Sequence, residues 1–148
     1  MKHLIGATAL MIATAVPAAA EVVSKIAPAS VAETMDKLVA AVEGAGATVF
    51  ARVDHAAGAQ SVDMELPPAQ LLIFGNPALG TPAMQDDPLA GLALPLRVLV
   101  FEAEDGRAVV AWEPPTTFLD GLTIPEDAEY VGKMTAALDR LTDAAVAE

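Results

Sequence analysis

The chain has 148 residues, no cysteine, and 20 acidic against 8 basic residues, a formal net charge of −12. That charge argues against nucleic acid and anionic membrane surfaces as partners, because binding to phosphate runs on Lys and Arg displacing counterions. The absence of cysteine rules out a disulfide framework, a lipid-attachment thiol and a thiol nucleophile.

Residues 1–20 read as a secretory signal peptide. Lys2 and His3 form a basic start, Leu4 to Val16 an apolar run, and Pro17 with Ala18-Ala19-Ala20 a breaker and small-residue cleavage site before Glu21. The run falls short of the roughly 18 apolar residues that span a bilayer, so cleavage after Ala20 is expected and an uncleaved anchor is not. Cleavage removes Lys2 and no acid, leaving the mature chain more acidic still. Residues 21–148 are expected to form a single domain, large enough to bury a core without covalent staples, free in a bacterial periplasm or secreted.

In chain order, Glu21 to Ile26 reads as a first strand, stopped before Pro28. Ser30-x-x-Glu33 has capping-box spacing and opens a helix whose Val31, Met35, Leu38 and Val42 share one face, with Gly44 and Gly46 at its end. Thr48 to Asp54 alternates as a strand, which is expected to turn Val49, Ala51 and Val53 toward the helices and Phe50 and Arg52 away. Asp54 is placed to cap a helical turn or two running through His55 to about Val62. Pro67-Pro68 keeps the chain extended into Leu71-Leu72-Ile73-Phe74, a short apolar run expected to form a central strand buried on both faces.

Gly75-Asn76-Pro77 closes that run, and the chain is expected to turn there, since Gly75 and Asn76 tolerate left-handed backbone and Pro77 lacks a ladder donor. Ala78 to Pro95 is rich in Pro and Gly yet carries Met84, Leu89, Leu92 and Leu94. That content predicts a packed flap with a short helix starting at Thr81-Pro82. Leu96 to Glu102 and Arg107 to Glu113 read as a hairpin through Asp105-Gly106, the pairing typical of a type I′ turn, and Pro114-Pro115 stops the second strand. A closing helix from about Pro125 aligns Val131, Met134, Leu138, Leu141 and Ala145, with Thr123-x-x-Glu126 as a second capping-box spacing.

Two helices cannot cover both faces of five strands. An α+β sandwich follows, with order strand, helix, four strands, helix and both helices on one face of an antiparallel sheet. The hairpin strands carry apolar residues on both faces, so a monomer is expected to show water a patch of the kind that marks an interface. A homodimer burying Trp112 and Phe101 at or beside a two-fold interface is expected, with coverage by the flap as the alternative.

Asp54-His55-Ala56, Phe74-Gly75-Asn76-Pro77, Gly80-Thr81, Leu94-Pro95 before an Arg-bearing strand, and Asp105-Gly106 together resemble the bacterial family called domain of unknown function 302, over about Ser24 to Ala145. The resemblance implies a fold like that of the TATA-binding protein and no activity. Two departures are Asp63, where members often carry Gly, and Leu66, where they often carry Arg before the Pro.

His55 is the sole histidine outside the signal. The available serines, Ser24, Ser30 and Ser61, sit in no Gly-x-Ser-x-Gly elbow. His55 with Asp54, Asp63 or Glu65 matches no recognised metal-ligand spacing, and Gln85-Asp86-Asp87 lacks the calcium-loop offsets and reads as a solvated loop. No phosphate loop occurs, so no cofactor is expected. The chain reads as a non-enzymatic module that binds a small ligand or a protein partner. Its ligand-binding candidates are His55, Phe74, Gly75, Asn76 and Arg97. The alternative is a hydrolase or isomerase using His55 with Asp54 or Asn76. Against that, Asp54 suits a cap, and His55 is expected to hydrogen-bond within the packed edge beneath the Phe74 loop.

Overall fold

The computed structural model describes residues 21–125 and 127–148; the expected signal peptide, residues 1–20, and Glu126, with its capping-box spacing, lie outside the described residues. Five strands, β1 Val23–Ala27, β2 Thr48–Asp54, β3 Ala69–Gly75, β4 Leu96–Glu102 and β5 Ala108–Trp112, form one antiparallel sheet in the order β1-β5-β4-β3-β2. Helix α1, Val31–Gly44, follows β1, and helix α6, Glu129–Val146, closes the chain. Between them lie four short helices: α2 His55–Gln60, α3 Pro77–Asp86, α4 Ala90–Ala93 and α5 Pro115–Phe118.

The helical stripes become the core. Val31, Met35, Leu38 and Val42 of α1 and Met134, Leu138, Leu141 and Ala145 of α6 are buried, and the two helices pack together on one sheet face. Each such Leu or Met contributes about 1.5–3 kcal/mol by leaving water. The start of α1 is a capping box: Glu33 N donates to Ser30 Oγ at 3.3 Å and Ser30 N to Glu33 Oε2 at 3.2 Å. Helix α6 begins at Glu129, later than Pro125, and its cap residue Ala128 makes no side-chain bond.

The sheet departs from the sequence expectation in four places. Its centre is β4, and β3 lies between β4 and β2. Leu72 and Phe74 are buried under the helices, whereas Leu71 and Ile73 are half-exposed on the other face, so the apolar run of β3 is not enclosed on both sides.

The second departure is a bulge. Val49 stands opposite Phe74, but Ala51 stands opposite Ile73, so Phe50 is an extra residue and the alternation reverses beyond it. Arg52, opposite Leu72, therefore lies on the helix-covered face. Its Nη1 pairs with Asp36 of α1 at 2.5 Å and its Nε donates to Gln70 Oε1 at 2.9 Å. Ala51 and Val53 turn to the open face.

Trp112 is the third. It stands opposite Val23 under the helices, 5% exposed, with Lys25 Nζ 5.1 Å from its ring centroid. Lys25 also donates to Asp143 Oδ1 at 2.6 Å and Thr142 Oγ1 at 2.9 Å, tying β1 to α6. Trp112 and Phe101 thus occupy opposite faces and cannot share one interface. The open face carries Ile26, Leu71, Ile73, Leu99, Phe101 and Val109, exposed or half-exposed, while the flap packs against α6 on the far side.

Last is the β4–β5 turn. Gly106 N donates to Ala103 O at 2.8 Å and Ala103 N to Arg107 O at 2.9 Å, with Gly106 at φ 79 and Asp105 outside the left-handed region. That is a type I turn followed by a left-handed glycine, the bulged hairpin, and not type I′. Asp63 does adopt a left-handed backbone, φ 57, a conformation suited to the glycine expected at that position.

Candidate functional site

The flap between β3 and β4 grows out of the Gly75-Asn76-Pro77 stop, which is a strand-to-helix junction. Neither Gly75 nor Asn76 has a positive φ. Asn76, extended at φ −126, caps α3 by accepting Ala78 N on Oδ1 at 2.9 Å, and Pro77 takes the first helical position, where no amide is needed. Helix α3 therefore starts earlier than Thr81, and Pro82 lies inside it. Gly75 leaves room for a single methyl and little more: a Cβ there would sit 3.4 Å from Phe50 Cε2 and 3.5 Å from Pro95 Cβ.

Ala83 and Ala90, both fully buried, hold the flap down. Asp86 and Asp87 fasten its end and are not simply solvated. Tyr130 donates its hydroxyl to Asp86 Oδ2 at 2.7 Å, while Thr123 N and Leu89 N each donate to the Asp87 carboxylate at 2.9 Å. Those amides, Thr123 first, hold the Asp87 pKa below its usual value; partial burial and then the Asp86 bond push Tyr130 up to about 12.

Beneath this flap is a cleft of about 290 Å³. Phe50 and Gly75 form its floor at the end of the sheet, Leu79 and Met84 its roof, and Leu94, the cis Pro95 and Met134 its walls. The bulge creates the floor, since the extra residue in β2 lets Phe50 lie across Gly75. Among the described residues, no Lys, Arg, His, Asp or Glu lines the cleft. Its side-chain polar groups are the Asn76 amide and the Thr81 hydroxyl, on exposed residues at its mouth.

Of the ligand-binding and catalytic candidates His55, Asp54, Phe74, Gly75, Asn76 and Arg97, Gly75 and Asn76 line this cleft, as do Pro77, Gly80, Thr81, Leu94 and Pro95 of the family-like motifs. Phe74 is 1% exposed in the core beside it. Asp54 pairs with Gln70 at the far end of β3 and caps α2 by accepting Ala57 N at 2.9 Å. That bond, the largest cause, lowers its pKa. His55 is exposed beside it and makes no side-chain hydrogen bond among the described residues, so the expected packed-edge bond is absent. His55 and Asn76 stand at opposite ends of the β2–β3 pair and cannot act on one substrate atom. Arg97 lies on the open face, opposite Ile73 and 3.8 Å from Glu113. Among the described residues no group of three His, Asp or Glu side chains could hold a metal.

Phe50, Leu79 and Met134 were not singled out for the site. Phe50 read as an ordinary member of an alternating strand, and Met134 as core stripe. The sequence signal that did exist was the apolar content of the flap: Met84 and Leu94 line the cleft, whereas Leu89 and Leu92 are exposed.

The fold is that of an uncharacterized conserved DUF302 protein from Bacillus stearothermophilus, whose crystal structure superposes with a TM-score of 0.76 at 18% identity, covering 84% of this chain and 97% of that one. In sequence, the chain is 45% identical over 86 residues to proteins named fluoride-specific ion channel FluC 1 in Brucella suis biovar 1 (strain 1330) and FluC 2 in Brucella melitensis biotype 1 (strain ATCC 23456 / CCUG 17765 / NCTC 10094 / 16M). The match takes in 58% of this chain but only 34% and 32% of those proteins, so the chain spans about a third of the curated relatives' length. A family model describing a domain of unknown function matches residues 22–145 of the 148, and the chain belongs to the DUF302 family.

Proposed function

We propose that this chain is an exported, non-enzymatic module that binds a small molecule in the cleft beneath the flap. The observation that carries this reading is the cleft itself, preformed, largely apolar and near the lower end of the size range of small-molecule sites. It brings no nucleophile with a base and no acid-base pair to one point, which supports binding over turnover. The test is native mass spectrometry of the mature protein before and after denaturation. A small molecule retained by the folded form and lost on unfolding is the expected result; a clean mass on protein taken directly from its exporting host counts against it.

A second reading concerns the open sheet face. Its contiguous apolar residues, Ile26, Leu71, Leu99 and Phe101 among them, support a homodimer in which two such faces meet. Light scattering should then give twice the chain mass, and Phe101→Glu should halve it. A monomer at high concentration refutes the dimer.

The channel name belongs to the Brucella relatives. The match covers about a third of those proteins, and no described helix here is long and apolar enough to cross a membrane.

A further inference from the structure

We infer that the cleft selects an uncharged ligand, an apolar body of about ten to twelve heavy atoms bearing one neutral oxygen at the mouth; this rests on the small-molecule reading above. The size follows from volume. A cavity of about 150 Å³ accommodates benzene, and 290 Å³ is close to twice that.

The neutrality follows from what surrounds the space. A carboxylate entering the cleft would lose its hydration and meet no cation, because no basic side chain among the described residues lines it. The start of α3 offers no substitute. Pro77 has no amide hydrogen, Ala78 N is held by Asn76 Oδ1, and Leu79 N and Gly80 N donate to Asn76 O at 2.9 and 3.0 Å. The amides of Ala78, Leu79 and Gly80, which could have cradled an anion at this helix start, are already used. An ammonium fares no better, since no acidic side chain among the described residues lines the space and the carboxylate of Asp86 at the end of α3 is engaged by Tyr130.

One neutral oxygen has partners. Asn76 uses its carbonyl oxygen for the cap, leaving Nδ2 as a donor, and the Thr81 hydroxyl makes no hydrogen bond among the described residues. Both stand at the mouth, so an alcohol or ketone group would sit there with its hydrocarbon inward. Met84, 40% exposed, and Phe50, 56% exposed, can move to fit bodies of differing shape, so the class is defined by polarity and length more than by outline.

The experiment titrates the mature protein with 1-decanol, decanoate and decylammonium at pH 7, with calorimetric readout. Decanol is expected to bind at least tenfold more tightly than either ion. Decanoate or decylammonium binding as well as decanol overturns the neutral selection while leaving the binding module intact; no binding by any of the three overturns both. Two variants locate the site. Gly80 has an ordinary helical φ, and a Cβ there would meet Leu94 Cδ1 at 3.7 Å, so Gly80→Leu should fill the cleft without unfolding α3. It is expected to lose decanol at least tenfold at an unchanged or raised melting temperature, and unchanged affinity in a folded variant places the ligand elsewhere and overturns the inference. Thr81→Val, at an exposed position, is expected to weaken decanol roughly threefold to tenfold, the loss of one hydrogen bond. No change there removes the oxygen from its assigned partner and overturns that part of the inference.

Discussion

Gly75 separates two reasons for a glycine, backbone freedom and space. Gly75 ends β3 without a positive φ, so the backbone does not demand glycine. A Cβ would lie 3.4 Å from Phe50 Cε2 and 3.5 Å from Pro95 Cβ, ordinary contact distances. Gly75→Ala should therefore stabilise the fold. Removing the entropic cost of glycine in a strand contributes about 0.5–1 kcal/mol, and burying a methyl adds up to about 0.8 kcal/mol. Gly75→Val is different, because its two further methyl groups extend into Phe50 and Pro95. Phe50 can swing outward but the proline ring cannot, and overpacking of this kind costs about 1–3 kcal/mol. His55→Ala, at an exposed residue with no side-chain bond, should stay within about 0.5 kcal/mol of the parent. Urea titrations of the four proteins, followed by circular dichroism, decide the order. A loss of more than about 1 kcal/mol in Gly75→Ala would mean that the strand end needs a conformation only glycine adopts. His55→Ala proving worse than Gly75→Val would refute the account of His55 as an isolated surface side chain.

Four further outcomes are expected. Tyr130 is the sole tyrosine, so its absorbance titration is unambiguous and should centre near about 12; because the folded value lies above the ordinary 10.0, the stability it contributes is full below pH 10 and lost as pH rises through the folded value. A midpoint at 10 would mean that Tyr130 is neither desolvated nor bonded to Asp86 as described. Asp87 has the opposite sign: its depressed value makes its contribution present above about pH 3.8 and lost on further acidification, so Asp87→Asn should flatten the acid limb of a melting-temperature profile, and superimposable limbs would remove its fastening role. Leu138→Ala, at 1% exposure between α6 and the sheet, should cost about 2–5 kcal/mol by denaturant unfolding; a loss under 1 kcal/mol would contradict the described core. Intact mass of protein exported by a bacterial host should begin at Glu21, and an exported soluble form retaining Lys2 would refute signal cleavage.

Local chemistry was legible in the chain wherever a residue acts through its near neighbours in sequence. Ser30 and Glu33 form their capping box, Asp54 caps the turn after β2, and the periodic faces of α1 and α6 are buried, because a helix fixes which side chains align at three- and four-residue spacing. Asp105-Gly106 located the hairpin but not its turn class, which depends on how the strand register closes around Glu104 and Asp105. Tertiary structure decided the rest. A single extra residue at Phe50 exchanges the faces of everything after it in β2, and no pattern in Thr48 to Asp54 announces it, since Val, Phe and Ala suit either face of a strand. Trp112 was equally ambiguous among apolar neighbours until pairing with Val23 placed it under the helices. The cleft draws on β2, β3, the flap and α6, from Phe50 to Met134, and exists only because these distant segments leave a space that none of them fills alone. A sequence specifies which side chains seek burial, but the void between them is a property of how the elements pack.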